Sequence, residues 1–292
     1  ASFSAVAQAY GDNTPILMLP GAHSLAMQDY DPQFMASRSF KDITKMAGLI
    51  NDAGSISRKF EMAFSALKNG KSGPVLLETT VNVLWGQSDE ESKKEYRSPT
   101  GHRSMADPDD VERILDTLLD SKKPIIIAGH GVLYAEAWDE LMQLAELLQI
   151  PVTTSLLGKS AFPENHELSL GVSGRTITKA AGHFANESDF ILGIGTSFTI
   201  NDFTARMPKD ANLGQITNAP SDIAKCRPVS CAAVGDAKLV LNQLIEAARK
   251  RLGERGREPA VETIEEIKKL KQEFFDEWSD RLLCDDPGPI SP

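Results

Sequence analysis

Cysteine is scarce: Cys226, Cys231 and Cys284 are the three in 292 residues, and an odd trio cannot form a disulfide framework. No second Cys/His cluster stands near them to complete a structural zinc site, and no metal ligands are assigned. Excess positive charge is also missing, since 31 Lys and Arg face 41 Asp and Glu for a formal net charge of -10. A nucleic-acid groove needs clustered cations, so the balance argues against a nucleic-acid partner. No apolar run approaches the roughly 18 residues of a membrane-spanning helix. The first ten residues lack the basic start and long apolar stretch of a secretion signal. These absences point to a reducing, cytoplasmic setting with no membrane partner.

With 41% hydrophobic and 25% charged residues, the chain has the balance of a globular protein, and its length suits two domains. Residues 1–85 alternate between helical and strand patterns. Phe3, Val6, Ala7 and Tyr10 are spaced as on a helix, and Pro15–Leu19 reads as a short buried strand. After an irregular stretch, Ile56, Phe60, Ala63, Phe64 and Leu67 predict a helix over Ile56–Lys68, and Pro74–Leu77 a second strand. Two parallel strands are too few for a stable sheet, so this segment reads as half of a domain. Residues 86–105 are polar and read as a linker.

Residues 106–253 carry a second βα series. Asp107 suits a helix cap, Pro108 the first helical position, and Val111, Ile114, Leu115, Leu118 and Leu119 form one apolar stripe. Strands are predicted at Pro124–Ala128, Pro151–Thr154, Asp189–Gly195 and Leu213–Asn218, with a closing helix over Ala237–Leu252. The fold class is therefore α/β: a doubly wound parallel sheet, Rossmann-like, preceded by part of a second α/β domain. Residues 254–292 add a helix striped with Ile264, Ile267, Leu270, Phe274 and Trp278, then a Pro-Gly linker over Pro287–Pro292. That stripe fits equally a helix docked between domains and one lying on its own domain. Because Ala1 opens inside a helical pattern and the chain closes on a linker, the sequence reads as a piece of a longer protein.

In an open parallel sheet, ligands gather beyond the carboxyl ends of the strands. Here those ends run into Gly129-His-Gly131, Ser155 to Lys159, Gly195-Thr-Ser197 and Asn218. Glycine admits close backbone approach, and free N–H groups at the following helix suit a diphosphate. The dinucleotide fingerprint is incomplete, because Tyr134 occupies the place of its third glycine. The five histidines are scattered without catalytic spacing, and the paired carboxylates Asp29 and Asp31 lack a third partner.

Five runs resemble the thiamine-diphosphate-dependent enzymes of the acetolactate synthase group: Ala9-Tyr-Gly-Asp-Asn-Thr-Pro15, Gly70 to Glu78, Lys122 to Gly129, Pro151 to Pro163 and Val234 to Lys238. The likeness is in register over nearly the whole chain. It implies that residues 1–85 are the back half of a pyrimidine-binding domain and 106–253 the central domain. By the same likeness, 254–292 leads to a diphosphate-binding domain. The implied activity is decarboxylation of a 2-oxo acid and carboligation, with thiamine diphosphate and magnesium bound mostly by segments outside this chain. The fragment alone is then expected to be inactive, and the whole enzyme to be a homodimer or homotetramer.

Carried over by position, Gly21 falls near the loop that meets the pyrimidine ring and Gln28 matches a glutamine lining the active-site channel. In members that bind FAD, the loops holding it match Gly129, Gly131, Gly174, Arg175, Gly195, Thr196, Ser197, Asn218 and Asp236. The family's Gly-x-Arg-Phe is here Gly195-Thr-Ser-Phe198, and its acid-x-acid is Asn218-Ala-Pro220. FAD is thereby put in question, and some relatives keep this domain empty or bind ADP. The alternative to an enzyme is a non-catalytic module that holds a dinucleotide or mediates assembly.

Overall fold

The computed structural model describes residues 2–28, 30–87, 96–201, 203–204 and 207–283. Asp29, Cys284 and the Pro287–Pro292 linker lie outside the described residues. The chain forms two compact units, Ala1–Arg103 and Ser104–Pro292.

The first unit contains helix α1 (Ser2–Gly11), strands β1 (Leu17–Met18) and β2 (Gly21–Ala22), the short helix α2 (Ala36–Ser39), and strand β3 (Met46–Ile50). Helix α3 (Ile56–Lys68), strand β4 (Val75–Thr80) and the single turn α4 (Val81–Leu84) follow. Strand β4 lies in the middle. Leu17 pairs with Val75 and Gly21 with Thr79 at one constant offset, so β1 and β2 are one parallel strand interrupted at Leu19-Pro20. Strand β3 pairs with β4 along its other edge, Met46 opposite Val75 through Ile50 opposite Thr79.

Strand β3 is absent from the sequence expectation. Met46, Ala47, Leu49 and Ile50 are apolar, and only Gly48 interrupts the run. Alternation along β4 explains the layers. Val75 and Leu77 pack with Ile50 and Ala63 under α3, while Leu76 packs with Val6, Ala36 and Phe40 under α1 and α2. Part of the expected linker is attached to α3: Lys68 Nζ donates to Ser98 Oγ (2.9 Å) and the Pro99 carbonyl (3.0 Å), and His102 N donates to Asn69 Oδ1 (2.8 Å).

The second unit runs through α5 (Pro108–Asp120), β5 (Pro124–Ala128), α6 (His130–Tyr134), α7 (Trp138–Leu148), β6 (Val152–Ser155) and β7 (Ser169–Ser173). It continues with α8 (Lys179–Glu187), β8 (Phe190–Ile194), β9 (Leu213–Thr217), β10 (Cys231–Val234), α9 (Ala237–Leu252) and α10 (Val261–Leu282). All six strands are parallel, in the order β10-β9-β8-β5-β6-β7. Numbered from β5, this is the 3-2-1-4-5-6 order of a doubly wound nucleotide-binding sheet, so the α/β expectation holds. The sequence shows neither β7 nor β10, whose Ser, Gly and Ala residues make weak strand signals.

Both faces of the sheet are covered, which is why β5 reads Pro-Ile-Ile-Ile-Ala. Ile126 and Ala128 join α5, α7 and α9 in the larger core, while Ile125 and Ile127 join α8 and α10 in the other. Asp107 caps α5 by accepting from Asp109 N at 2.9 Å, with Pro108 following. Helix α10 lies along α8 on its own unit: Ile264 and Ile267 are buried, Lys179 pairs with Glu273 (2.6 Å), and His183 contacts Glu266 (2.9 Å). Its far half is half-bare, with Phe274 38% and Trp278 37% exposed. Among the described residues, no helix is long and apolar enough to cross a membrane.

Candidate functional site

In the second unit the strand order changes direction between β5 and β8, the place where a doubly wound sheet opens a crevice for a ligand. The structure brings Gly129, Gly131, Gly195 and Thr196 together there. Gly129 N donates to the Ile194 carbonyl (2.8 Å) and Gly131 N to the Gly195 carbonyl (2.9 Å). A Cβ on Gly131 would stand 2.7 Å from Gly195 Cα, and one on Gly195, whose φ is +61°, 2.7 Å from Val132 N. These glycines allow two turns to lie backbone against backbone.

The N–H groups of Gly129 and Gly131 are thus donated within the protein. A third turn joins the packing, since a Cβ on Gly158 would fall 2.9 Å from the Gly129 carbonyl carbon.

The other positions ring the same carboxyl ends. Gly174 and Arg175 follow β7, where Arg175 N donates to the Phe203 carbonyl (3.3 Å) and the Arg175 side chain is exposed. Ser197 Oγ lies 2.7 Å from Thr199 Oγ1. Asn218 follows β9. Asp236 caps α9, accepting from Lys238 N (3.2 Å) and Leu239 N (3.4 Å). Sequence reasoning missed Gln215. It is buried on β9, and its Nε2 ties the turn after β8 to the turn after β9 through Thr196 O (3.0 Å) and Asp222 O (3.1 Å). It also missed Thr154, whose buried hydroxyl at the end of β6 has no partner. A cleft of about 440 Å³ lies between α7 and residues 159–164, lined by Trp138, Met142, Lys159, Phe162 and Pro163.

The first unit holds Gly21 and Gln28. Gly21 sits on β2 opposite Thr79, and a Cβ built on it would meet nothing within 4 Å. Packing therefore leaves open space on that side. Gln28 lies on the loop that follows, and its Nε2 is buried without a hydrogen-bond partner. Thr80, the last residue of β4 and fully buried, carries a second unpartnered buried atom, its Oγ1. An orphaned buried polar group costs about 1–3 kcal/mol, so the Gln28 amide marks a place where a ligand's acceptor would be stabilised. Sequence periodicity had no means of finding Thr80.

Burial pushes the Cys231 thiol up. His166 contacts Glu146 at 3.1 Å, so it and His183 serve as surface partners. Among the described residues, no group of three or more His, Cys, Asp or Glu side chains is placed to hold a metal ion.

Residues 111–244 match the family described as thiamine pyrophosphate enzyme, central domain. A probable acetolactate synthase large subunit of Methanocaldococcus jannaschii is 33% identical over 282 residues, covering 93% of this chain and 47% of that protein. A glyoxylate carboligase of Escherichia coli O157:H7 is 29% identical, covering 85% of this chain and 42% of the relative. Among solved structures, benzoylformate decarboxylase from Polynucleobacter necessarius shares the fold with a TM-score of 0.71 over 84% of this chain and 46% of its own, at 22% identity. The chain is similar to the thiamine-diphosphate-dependent enzymes, with residues 111–244 matching their central domain. Among these, the similarity runs to the acetolactate synthase large subunits, and the chain spans about half the length of the curated relatives it matches.

Proposed function

We propose that this chain is part of a thiamine-diphosphate-dependent enzyme that decarboxylates a 2-oxo acid and joins the remaining fragment to a second carbonyl compound. The observation that carries this reading is the unpartnered Gln28 amide, at a position matching a glutamine of the family's active-site channel, on the loop that follows the Gly21 strand. Bound thiamine diphosphate supplies a carbon nucleophile and a sink for the electron pair released when CO2 departs. Gly21 leaves room for a flat ring to approach the backbone. Gln28 Nε2 donates a hydrogen bond to an acceptor on the bound substrate. Magnesium and the diphosphate fall to segments other than those described.

The second unit serves this enzyme as a scaffold. A flavin or ADP phosphate there would meet amides already donated at Gly129 and Gly131, with Ser197 and Asn218 in place of the family's arginine and acid. FAD is therefore not part of the mechanism. A flavin absorption band in the purified protein would overturn that assignment. The assembly is a homodimer or homotetramer by family likeness, which sedimentation mass checks.

The test uses the full-length polypeptide that contains this chain, supplied with thiamine diphosphate, magnesium and pyruvate or another 2-oxo acid. CO2 release and carboligation product are expected, and Gln28→Ala lowers kcat/KM about tenfold or more, the equivalent of one lost hydrogen bond. No turnover of any 2-oxo acid by well-folded protein sinks the reading.

A further inference from the structure

The loop carrying Gln28 is fastened at both ends by one stretch of chain. At its start, Leu25 N donates to Asn82 Oδ1 across 2.8 Å. At its far end, Ala36 N donates to Glu78 Oε1 (3.0 Å) and Ser37 N to Glu78 Oε2 (2.8 Å). Between the two, Gln33 Nε2 hydrogen-bonds the Met27 carbonyl. Glu78 and Asn82 are four residues apart, on β4 and α4.

Glu78 is 1% exposed on a face otherwise filled by Val6, Ala36, Phe40 and Leu76. A leucine or methionine would fill such a site without desolvating a carboxyl group. Its two oxygens accept from the consecutive main-chain amides that open α2 at the end of the loop, and among the described residues no ion pair reaches it. A two-acceptor group in that place sets the backbone to one geometry.

We infer that Glu78 and Asn82 are positioning residues: together they hold loop 25–37 so that the Gln28 amide faces the bound ligand. This inference rests on the active-site reading of Gln28 proposed above. Neither residue touches the reacting atoms, and each acts through the loop.

The first measurement needs only this chain and no cofactor. Amide hydrogen exchange in Asn82→Ala is expected to lose protection at Leu25 by about tenfold, the effect of one hydrogen bond, and Asn82→Asp, which keeps the acceptor, to restore it. Glu78→Gln places an NH2 opposite one of the two amides, so protection falls at Ala36 or Ser37 but not at both. Should that core variant fail to fold, Asn82→Ala carries the test. Unchanged protection at Leu25 overturns the inference.

The second measurement uses the full-length holoenzyme with pyruvate. Asn82→Ala is expected to lower kcat/KM about fivefold, Asn82→Asp to recover it, and Asn82→Ala to add little once Gln28 is alanine, because the two act on one contact. If Gln28→Ala alone moves neither kcat nor KM, the active-site reading falls. If Gln28→Ala does move them and the Asn82→Ala effect adds to it in full, that reading stands and the positioning role falls.

Discussion

Gly131 N donates to the carbonyl of Gly195 at 2.9 Å, so the turn after β5 and the turn after β8 meet with no side chain between them. Gly195 holds φ at +61° in the same contact. Gly195→Ala therefore combines left-handed backbone strain with a Cβ forced against Val132 N. Each effect is worth about 1–2 kcal/mol, so a loss of about 2–4 kcal/mol is expected in urea unfolding of the second unit. A midpoint within error of the parent would show that the turns can separate freely.

Asp236 matches an FAD-loop position of the family and here caps α9. Asp236→Ala should cost about 0.5–2 kcal/mol of stability, the usual worth of a lost cap. Asp236→Asn or Asp236→Ser should recover most of it, because either offers an oxygen to Lys238 N and Leu239 N. Differential scanning calorimetry of the three variants reads this directly.

Burial raises the Cys231 thiol above its ordinary value of 9.0. The folded state thus holds its proton where the unfolded chain has released it. Its contribution to stability is complete below pH 9.0 and is lost as pH climbs from there through the raised folded value. Alkaline unfolding curves should show this decline, and Cys231→Ala should flatten it relative to the parent. Alkylation of Cys231 in the folded protein should be slow at neutral pH, as mass spectrometry of the labelled thiol would show.

Helix α10 is attached by its first half. Ile267 is fully buried, and Ile267→Ala should cost about 2–5 kcal/mol and open the helix to limited proteolysis. Phe275, 46% exposed on the far half, should tolerate alanine within about 0.5 kcal/mol. Equal effects from the two would mean the helix is not anchored where the structure places it.

How far the sequence revealed this structure depended on periodicity. Helix α3 was legible to the residue, because Ile56, Phe60, Ala63 and Leu67 repeat at helical spacing and Gly70 stops them. The α5 start was equally plain from Asp107-Pro108. Strands β7 and β10 were not, since their glycine, serine and alanine residues give weak strand signals, and β3, though apolar apart from Gly48, lies in the stretch that reads as irregular. The order of the six parallel strands is a tertiary fact that no local pattern carries. A G-x-G motif does not disclose whether its glycines face a ligand or another glycine, and Gly131 faces Gly195. The unsatisfied atoms of Gln28 and Thr80 exist only once the chain has folded around them.

The strand order also constrains how the second unit comes into being. Strands β5, β6 and β7 are neighbours in space and in sequence, but Pro124 pairs with Phe190, across the whole intervening βα series. On a ribosome adding roughly 5–20 residues per second, β5 spends several seconds with one ladder open before β8 emerges. Until β8 emerges, the edge of β5 that will pair with it presents unpaired N–H and C=O groups. That interval is when the nascent chain is most exposed to wrong pairing, and ribosome-arrested chains ending before residue 190 should bind hydrophobic dyes more strongly than those ending beyond β9.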